Sequence, residues 1–335
     1  MFSKHKLTVL GIETSCDDTA AAVVRGRQIL ASLVSSQDAV HSPYGGIVPE
    51  LASRHHAGNI VPIVDSALRQ ADVGVEALDG IAVTCGPGLI GSLLVGLSFA
   101  KAVAFAHAIP LVGINHLEGH LLAVLLEQDM AFPFVCLLVS GGHTCLYHAR
   151  APGAYERLGA TRDDAAGEAF DKAAKMMGFG YPGGRIIDRL ARQGEPAAVA
   201  FPRARLKTGR YDLSFSGLKT ALRQFLQTSQ GQTLAAADIA ASYQEAVVDM
   251  LLEPTLRATR DLDLKRIVVS GGVAANSRLR TRMGEEGRRH GLQVAVPSLP
   301  LCTDNAAMIA FAGARRLAEG QRAALDLNAA ASLRL

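Results

Sequence analysis

The sequence has little aromatic content: it contains no tryptophan, and aromatic residues make up 5% of its 335 positions. Its five cysteines are odd in number and include no Cys-x-x-Cys pair, which argues against a disulfide framework and against a zinc ribbon. A reducing compartment, the cytoplasm, is therefore the expected location. Because 49% of the residues are hydrophobic and 19% are charged, a disordered chain is also excluded.

Two common nucleotide-binding motifs are missing or incomplete. No Gly-x-x-x-x-Gly-Lys-Ser/Thr segment is present, which excludes a P-loop protein. Gly86, Gly88 and Gly91 do form Gly-x-Gly-x-x-Gly after a predicted strand, but no acidic residue lies between Asp79 and Glu118. A dinucleotide site needs a carboxylate about twenty residues after the glycines to hold the ribose, so this pattern does not predict one.

The net charge is only +3, but the charges are unevenly distributed. Residues 1–130 contain seven basic and twelve acidic side chains, whereas residues 131–335 contain 27 basic and 19 acidic ones. The basic excess gathers in two clusters, which fit the phosphate backbone of a nucleic acid and equally fit a solvated helix face. The clusters are Arg203, Arg205, Lys207, Arg210, Lys219 and Arg223, and Arg278, Arg280, Arg282, Arg288 and Arg289.

One long apolar stretch, residues 89–114, contains a single charged side chain, Lys101. Its length alone would suit a membrane span, but glycines interrupt it and Pro110 lies near its end. We interpret the stretch as a buried helix followed by a buried strand, and we expect no association with a membrane.

The order of the predicted elements repeats, which indicates a duplicated α/β fold. Each half opens with a strand, a small polar turn and a second strand, in GIETSCDDTAAAVV and in LLVSGGHTCLYHA. Each half later has a strand, a glycine turn and a helix, in VTCGPGLIGSLL and in VVSGGVAANSRL. Glycine turns before helices present N–H groups to phosphate, so we predict a nucleotide held in a cleft between two lobes.

Three helices after residue 180 bear on the predicted site. Their patterns place them at about residues 185–193, 275–290 and 305–318. Thr303 or Asp304 is the expected N-cap of the last one.

The segment His116-Leu-Glu-Gly-His120 is the sharpest local signal. In a helix, two histidines four residues apart face the same way, as two metal ligands must, although a structural role for the pair stays open. Asp304 offers a carboxylate, the commonest third ligand beside two histidines. Zinc peptidases place a glutamate directly after the first histidine, whereas Glu118 occupies the middle position and is rotated away. A peptidase would therefore lack its general base.

Two Ser-Gly-Gly turns follow predicted buried strands, at residues 140–142 and 270–272. Each alone is explained by a plain turn, but the pair, with Asn276 after the second, favours ligand-binding loops. Neither serine lies in a Gly-x-Ser-x-Gly elbow, so a serine nucleophile is not supported.

Taken together, these segments closely resemble the TsaD (Gcp, YgjD) family of bacterial tRNA adenosine threonylcarbamoyltransferases. The resemblance implies the ASKHA fold of actin, Hsp70 and sugar kinases, in agreement with the duplication. It implies a first lobe of residues 1–130, closed by the C-terminal helix of about residues 304–335, and a second lobe of residues 131–303. The matching segments are GIETSCDDT, YGGIVPELASRHH, GPGLIGSLLVG, NHLEGH, LLVSGGHT, DDAAGEAFDKAAKMMG, YPGG, LSFSGLKTA, GGVAANSRLR and CTDNAAMIA.

The resemblance also implies a reaction. The family transfers a threonylcarbamoyl group from threonylcarbamoyl-AMP to the N6 amine of adenosine 37 in tRNAs that read codons beginning with A. One divalent metal ion per subunit is implied, iron, with zinc as the alternative. The implied partners are tRNA and the proteins TsaB and TsaE, with TsaB bound through the helices of the first lobe.

The site residues are carried over motif by motif. The implied metal ligands are His116, His120 and Asp304. Glu13 is implied to sit in the cleft, where we predict that it takes the proton of the acceptor amine. The implied nucleotide and acyl site consists of Leu138, Val139, Ser140, Gly141, Gly142, Asp171, Gly184, Asp188 and Asn276.

Two departures and two alternatives accompany this prediction. Asn115 stands where many members have another histidine, and the ending LDLNAAASLRL lacks the Pro-Arg-rich tail common in the family. The asparagine leaves the implied metal ligands intact, whereas the atypical ending puts contacts of the tail with RNA or a partner in doubt. The alternatives are a metal-dependent peptidase of the O-sialoglycoprotein endopeptidase type and a non-catalytic nucleotide-binding scaffold.

Overall fold

The structure is a computed structural model that describes residues 6–204, 206 and 209–335. The strands within these ranges form two mixed sheets. In chain order they are β1 (Thr8–Glu13), β2 (Asp18–Arg25), β3 (Gln28–Ser36), β4 (Gly80–Gly86), β5 (Leu111–Asn115), β6 (Phe134–Val139), β7 (Thr144–Ala151), β8 (Ala154–Ala160), β9 (Arg266–Ser270) and β10 (Gln293–Ala295).

Helices connect and cover these strands. In chain order they are α1 (Asp38–His41), α2 (Pro49–Ala71), α3 (Ile90–His107), α4 (His116–Ala123), α5 (Ala166–Met176), α6 (Gly183–Ala191), α7 (Ser216–Leu226), α8 (Ser229–Thr233), α9 (Ala236–Asp261), α10 (Ser277–His290), α11 (Leu299–Cys302) and α12 (Ala306–Ala318).

The chain divides into two compact units. The first combines the residues up to Gln128 with Asp304–Leu335, and the second is the continuous segment Asp129–Thr303. The first unit is therefore built from both ends of the chain.

The two sheets share one topology. The first has the order β3-β2-β1-β4-β5 and the second β10-β9-β6-β7-β8. In each, the first three strands along the chain pair antiparallel and the last two join in parallel. Reversing the second order matches every strand to its counterpart, which confirms the predicted duplication.

Close packing of α12 on the first sheet fixes where the end of the chain lies in its unit. A Cβ atom at Gly11 in β1 would overlap the carbonyl oxygen of Ala306, and one at Gly313 would overlap Ala82 in β4. Because both contact points are glycines, the helix lies directly against the strands. The residue before the helix start, Asn305, and its neighbour Asp304 are thereby held near the end of β1.

After α12 the chain returns along the first sheet. The amide of Ala323 donates to the carbonyl of Leu111 (2.8 Å), and the amide of Ala330 donates to that of Cys85 (2.8 Å). The side-chain amide of Asn115 donates to the carbonyl of Leu333 at 3.3 Å. The tail is thus part of the first unit.

The apolar stretch at residues 89–114 differs in part from its prediction. Its strand, β5, is mainly buried, as expected. Its helix, α3, is only one-third buried, so the expectation of a buried helix is wrong for its outer face, where Phe105 is 76% exposed. By length and composition α3 would also pass for a membrane span, a test that core helices of globular proteins pass as well.

Candidate functional site

The two histidines of the sequence motif lie on α4, which begins directly where β5 ends. Asn115, the last residue of the strand, is the N-cap, and its side-chain oxygen accepts a hydrogen bond from the amide of Leu117 (2.9 Å). Every residue of α4 is buried. His116 and His120 are one turn apart, and their ring centroids lie 4.6 Å from each other.

Asp304 faces these histidines from the start of α12. The expected N-cap was Thr303 or Asp304, but the structure places Asn305 there, with its side chain accepting from the amide of Met308 (3.0 Å). The carboxylate of Asp304 is directed to the histidines instead. Its Oδ1 lies 3.1 Å from Nε2 of His120 and 3.6 Å from Nε2 of His116.

The three side chains fit a divalent metal ion. Their ligand atoms lie within 4.8 Å of one another, and they combine two imidazole nitrogens with one carboxylate oxygen. This donor set suits iron, zinc or manganese, so the chemistry of the ligands does not select one metal.

Glu13, at the end of β1, lies directly behind His116. Its Oε2 is 2.9 Å from Nδ1 of His116 and accepts a hydrogen bond from the hydroxyl of Thr84 (2.7 Å). Its Oε1 accepts from the amide of Ser15 at 2.5 Å. The side chain is fully buried. This arrangement suits a group that holds His116 better than one that takes a proton from a substrate, and the catalytic role of Glu13 stays a prediction.

Burial and charge act in opposite directions on these groups. Burial lowers the pKa of His116, but the charges of Glu13 and Asp304 more than offset this effect and raise the pKa to about 9. Burial raises the pKa of Glu13, but the charge and hydrogen bond of His116 outweigh it and lower the pKa. For His120, burial dominates and lowers the pKa, which favours the neutral imidazole.

Glu118 is not part of the histidine cluster. Its Oε2 forms a 2.5 Å ion pair with Nη2 of Arg316 on α12. This contact does not support a role of Glu118 as the general base of a peptidase, in agreement with the position of Glu118 in the motif.

The second unit contains the other predicted site residues. Leu138 and Val139 are the buried end of β6, and the turn after them holds Ser140, Gly141 and Gly142. The start of α5 packs directly on this turn: the amide of Gly167 donates to the carbonyl of Ser140 (3.2 Å). A Cβ atom at Gly167 would lie 2.7 Å from the Cα of Gly141, so only glycine permits this approach. Gly141 and Gly142 are exposed.

Asp171 and Gly184 contact each other. Asp171, on α5, accepts hydrogen bonds from the amides of Gly183 (2.7 Å) and Gly184 (3.2 Å) through Oδ1. The carboxylate thus caps the N-terminus of α6. This bond explains why α6 begins at Gly183, two residues before the predicted start.

Asp188 and Asn276 lie at the next junction. Oδ1 of Asp188 accepts from the amide (3.0 Å) and the hydroxyl (2.7 Å) of Ser277. Asn276 is the N-cap of α10 and donates to Oε1 of Gln244 at 2.6 Å. Successive contacts therefore link the glycine turn, α5, α6 and the start of α10 within the second unit.

The basic clusters of the sequence are largely neutralised. Arg205 and Lys207 lie outside the described residues. Six described members are paired with carboxylates, so a phosphate would compete with acidic neighbours for them. The pairs are Arg203–Asp249, Arg210–Asp261, Lys219–Asp164, Arg278–Glu245, Arg282–Glu245 and Arg289–Glu286.

Sequence reasoning missed several polar partners of the predicted residues. Thr84 bonds Glu13, Ser277 bonds Asp188 and Gln244 bonds Asn276. The hydroxyl of Ser15 also lies 3.1 Å from Nδ1 of His116. Ser15 and Ser277 sit within conspicuous motifs, whereas Thr84 lies in an ordinary apolar strand and gives no local signal.

Comparison with known proteins reveals close relatives. The family profile described as TsaD, tRNA N6-adenosine threonylcarbamoyltransferase, matches residues 28–311. A protein of that name from Syntrophotalea carbinolica is 56% identical over 96% of this chain and 95% of its own. Another from Anaeromyxobacter dehalogenans is also 56% identical, over 98% of this chain and 99% of its own.

A solved structure shares the fold at low identity. Full-length HypF, crystallised in a phosphate- and nucleotide-bound form, aligns with a TM-score of 0.63 and 14% identity over 94% of this chain. The chain spans 47% of the length of HypF. The likeness supports the fold alone and, with the repeated sheet topology, confirms the predicted two-lobe ASKHA class.

Proposed function

Since the chain belongs to the family of tRNA N6-adenosine threonylcarbamoyltransferases and is therefore a transferase that modifies tRNA, we propose its donor, acceptor position, site residues and partners. The donor is threonylcarbamoyl-AMP, and the acceptor is the N6 amine of adenosine 37 in tRNAs that read codons beginning with A. The observation that carries the proposal is the convergence of His116, His120 and Asp304 in a chain with such relatives.

The donor is a mixed anhydride, so AMP is already a good leaving group. The remaining tasks of the protein are to orient the reactants and to exclude water. His116, His120 and Asp304 hold the metal ion in this proposal. The ion, when bound, supplies Lewis-acid polarisation of a donor oxygen.

The second unit holds the nucleotide part of the donor in this proposal. The exposed peptide groups of Gly141 and Gly142 offer N–H donors to phosphate or acyl oxygens. Asp188 and Asn276 form hydrogen bonds to the sugar and base in this proposal. Asp171 acts through the loop whose amides it holds, including that of Gly184.

The metal is iron in this proposal, with zinc as the alternative. Protein purified without oxygen should contain about one equivalent of iron by elemental analysis, and removal of the metal by a chelator should abolish transfer. Recovery of activity with Zn²⁺ but not with Fe²⁺ would contradict the assignment to iron.

TsaB and TsaE are the proposed protein partners. Helices α2 and α3 of the first unit expose large apolar side chains, including Val61 and Phe105. Such a surface suits a protein interface, and we assign it to TsaB. Replacing the exposed Leu94 by the charged glutamate should abolish co-purification with TsaB, whereas the exposed Leu325→Glu in the tail should not.

A transfer assay tests the function. The purified protein, its TsaB and TsaE partners, synthetic threonylcarbamoyl-AMP and unmodified tRNA should give N6-threonylcarbamoyladenosine, detected by mass spectrometry. His116→Ala should lower the product by at least about a hundredfold, because a metal ligand is lost. His290→Ala, which alters an exposed histidine at the end of α10, is the control and should retain full activity. Absence of product from the wild type, beside an active relative, would overturn the proposal.

A further inference from the structure

The side chains behind His116 form a buried assembly that the family comparison does not assign. Glu13 is in contact with His116, and both are almost completely shielded from solvent. Three elements meet here, since Glu13 ends β1, Thr84 lies in β4 and His116 begins α4. Their contacts join residues 71 and 103 positions apart in the chain.

Both oxygens of the Glu13 carboxylate are fixed. Oε1 accepts from the amide of Ser15 (2.5 Å), and Oε2 accepts from the hydroxyl of Thr84 (2.7 Å). The same Oε2 faces Nδ1 of His116 at 2.9 Å. A carboxylate held at this many points is a rigid acceptor, which determines the orientation of the ring that it contacts.

The geometry assigns to Glu13 the role of positioning residue for the metal ligand His116. The N–H group at Nδ1 of His116 donates a hydrogen bond to Glu13. The other ring nitrogen, Nε2, faces Asp304 at 3.6 Å. Ser15 supports this arrangement, because its hydroxyl lies 3.1 Å from the same Nδ1. The inference rests on the proposed metal site, and it gives Glu13 a task other than proton abstraction.

The role predicts graded losses of metal affinity. Glu13→Gln keeps an acceptor oxygen but removes the charge, so we expect binding of Co²⁺ to weaken about tenfold. Glu13→Ala removes the acceptor altogether, and we expect a loss of about a hundredfold. Thr84→Val leaves the carboxylate but removes one hydrogen bond to its Oε2, so the loss of affinity should be smaller than that of Glu13→Gln.

The probe is Co²⁺ alone, added to the full-length metal-free protein. Competition with a chelator gives the affinity, and the visible absorption bands of bound Co²⁺ report the ligand geometry. Glu13→Gln should shift these bands as well as weaken binding, because His116 is no longer held in one orientation. A merely structural glutamate would lower the melting temperature without moving the bands.

Glu118→Gln is the matched control. Glu118 is also a buried carboxylate and lies on the same helix as His116, but its partner is Arg316. This variant should lose stability and keep the Co²⁺ affinity and spectrum of the wild type. The inference is overturned if Glu13→Gln also keeps the Co²⁺ affinity and spectrum of the wild type. It is overturned as well if Glu118→Gln changes the affinity and spectrum as much as Glu13→Gln does.

One further variant keeps the test decisive. Should Glu13→Ala fail to fold, Glu13→Asp retains the charge but draws the carboxylate back from His116, and it should show the same shifted Co²⁺ spectrum. A wild-type spectrum for Glu13→Asp would count against the role. The Co²⁺ measurements contain no tRNA and no donor, so they are independent of the transfer assay. If transfer occurs but metal binding does not depend on Glu13, only the inference is overturned. If metal binding depends on Glu13 but no transfer occurs, only the proposed function is overturned.

Discussion

At the scale of single residues, neighbouring side chains at the start of α12 have separate tasks. Asp304 faces the histidines, whereas Asn305 caps the helix. We expect Asn305→Ala to lower the free energy of unfolding by about 1 kcal/mol with little change in Zn²⁺ affinity. Asp304→Asn should weaken Zn²⁺ binding with little change in the free energy of unfolding. Denaturant unfolding and metal titration of both variants measure this division, and it fails if the two variants behave alike.

A second residue-scale prediction concerns acid stability. Burial raises the pKa of Glu245, but hydrogen bonds and charges from Arg278 and Arg282 outweigh it, and the pKa lies below its ordinary value of 4.5. As pH falls, the unfolded chain therefore takes up this proton first. The stabilisation is complete above pH 4.5 and disappears as the pH falls through the folded-state pKa.

Glu245→Gln tests this account. The variant should be less stable than the wild type by about 2 kcal/mol at pH 7, because charged hydrogen bonds are lost. The difference should shrink as the pH is lowered to 3. Urea unfolding at both pH values gives the two differences, and equal differences would contradict the assigned cause.

The residues of the proposed metal site could be predicted from the sequence, but the side chains that contact them could not. The spacing of His116 and His120 fixes a shared helix face, and the motif around Asp304 supplies a carboxylate. Thr84 gives no such signal, because its contact with Glu13 depends on the pairing of β1 with β4. A prediction of that contact requires the register of the sheet.

At the scale of elements, the contact of α12 with β1 depends on a missing side chain. A Cβ atom at Gly11 would overlap the backbone of Ala306. We expect Gly11→Ala to lower the free energy of unfolding by about 2 kcal/mol and to weaken Zn²⁺ binding, because the helix that follows Asp304 must shift. Thermal unfolding and metal titration provide the two readouts.

Gly58→Ala is the control for this prediction. Gly58 lies in α2 with no atom within 4 Å of an added Cβ. Alanine there should stabilise the protein by a few tenths of a kcal/mol to about 1 kcal/mol, because it favours the helix. If Gly11→Ala is as harmless as Gly58→Ala, the close packing of α12 is not what holds Asp304.

Element boundaries show where sequence patterns stop being informative. The predicted helix at residues 185–193 begins instead at Gly183, because the carboxylate of Asp171 caps it from another helix. The helix predicted from residue 275 begins at Ser277, since Gly272–Ala275 form a 3₁₀ turn and Asn276 caps α10. Both shifts arise from local contacts that hydrophobic periodicity does not encode.

At the scale of the whole molecule, the duplication was predictable because each half repeats the same sequence of strand, turn and helix patterns. The exposure of α3 was not. Its apolar residues are distributed around the whole helix, so composition alone cannot distinguish a face packed on a sheet from an exposed face.

The placement of the ligands predicts a local effect of metal binding. His116, His120 and Asp304 all belong to the first unit. Zn²⁺ at a hundred times its dissociation constant should stabilise that unit by about 2.7 kcal/mol. Hydrogen exchange should slow in Thr8–Glu13 and His116–Ala123 more than in Ala236–Asp261. Equal protection of all three segments would contradict this expectation.

The discontinuity of the first unit has a consequence for biosynthesis. A ribosome delivers β1 to α4 long before Asp304–Leu335, so the early segment must wait for its last helix and tail. The continuous segment Asp129–Thr303 faces no such delay and is free to complete its fold first. During this interval β1 and β4 lack the cover of α12, so the emerging chain exposes the apolar surface of these strands until Asp304–Leu335 is synthesised.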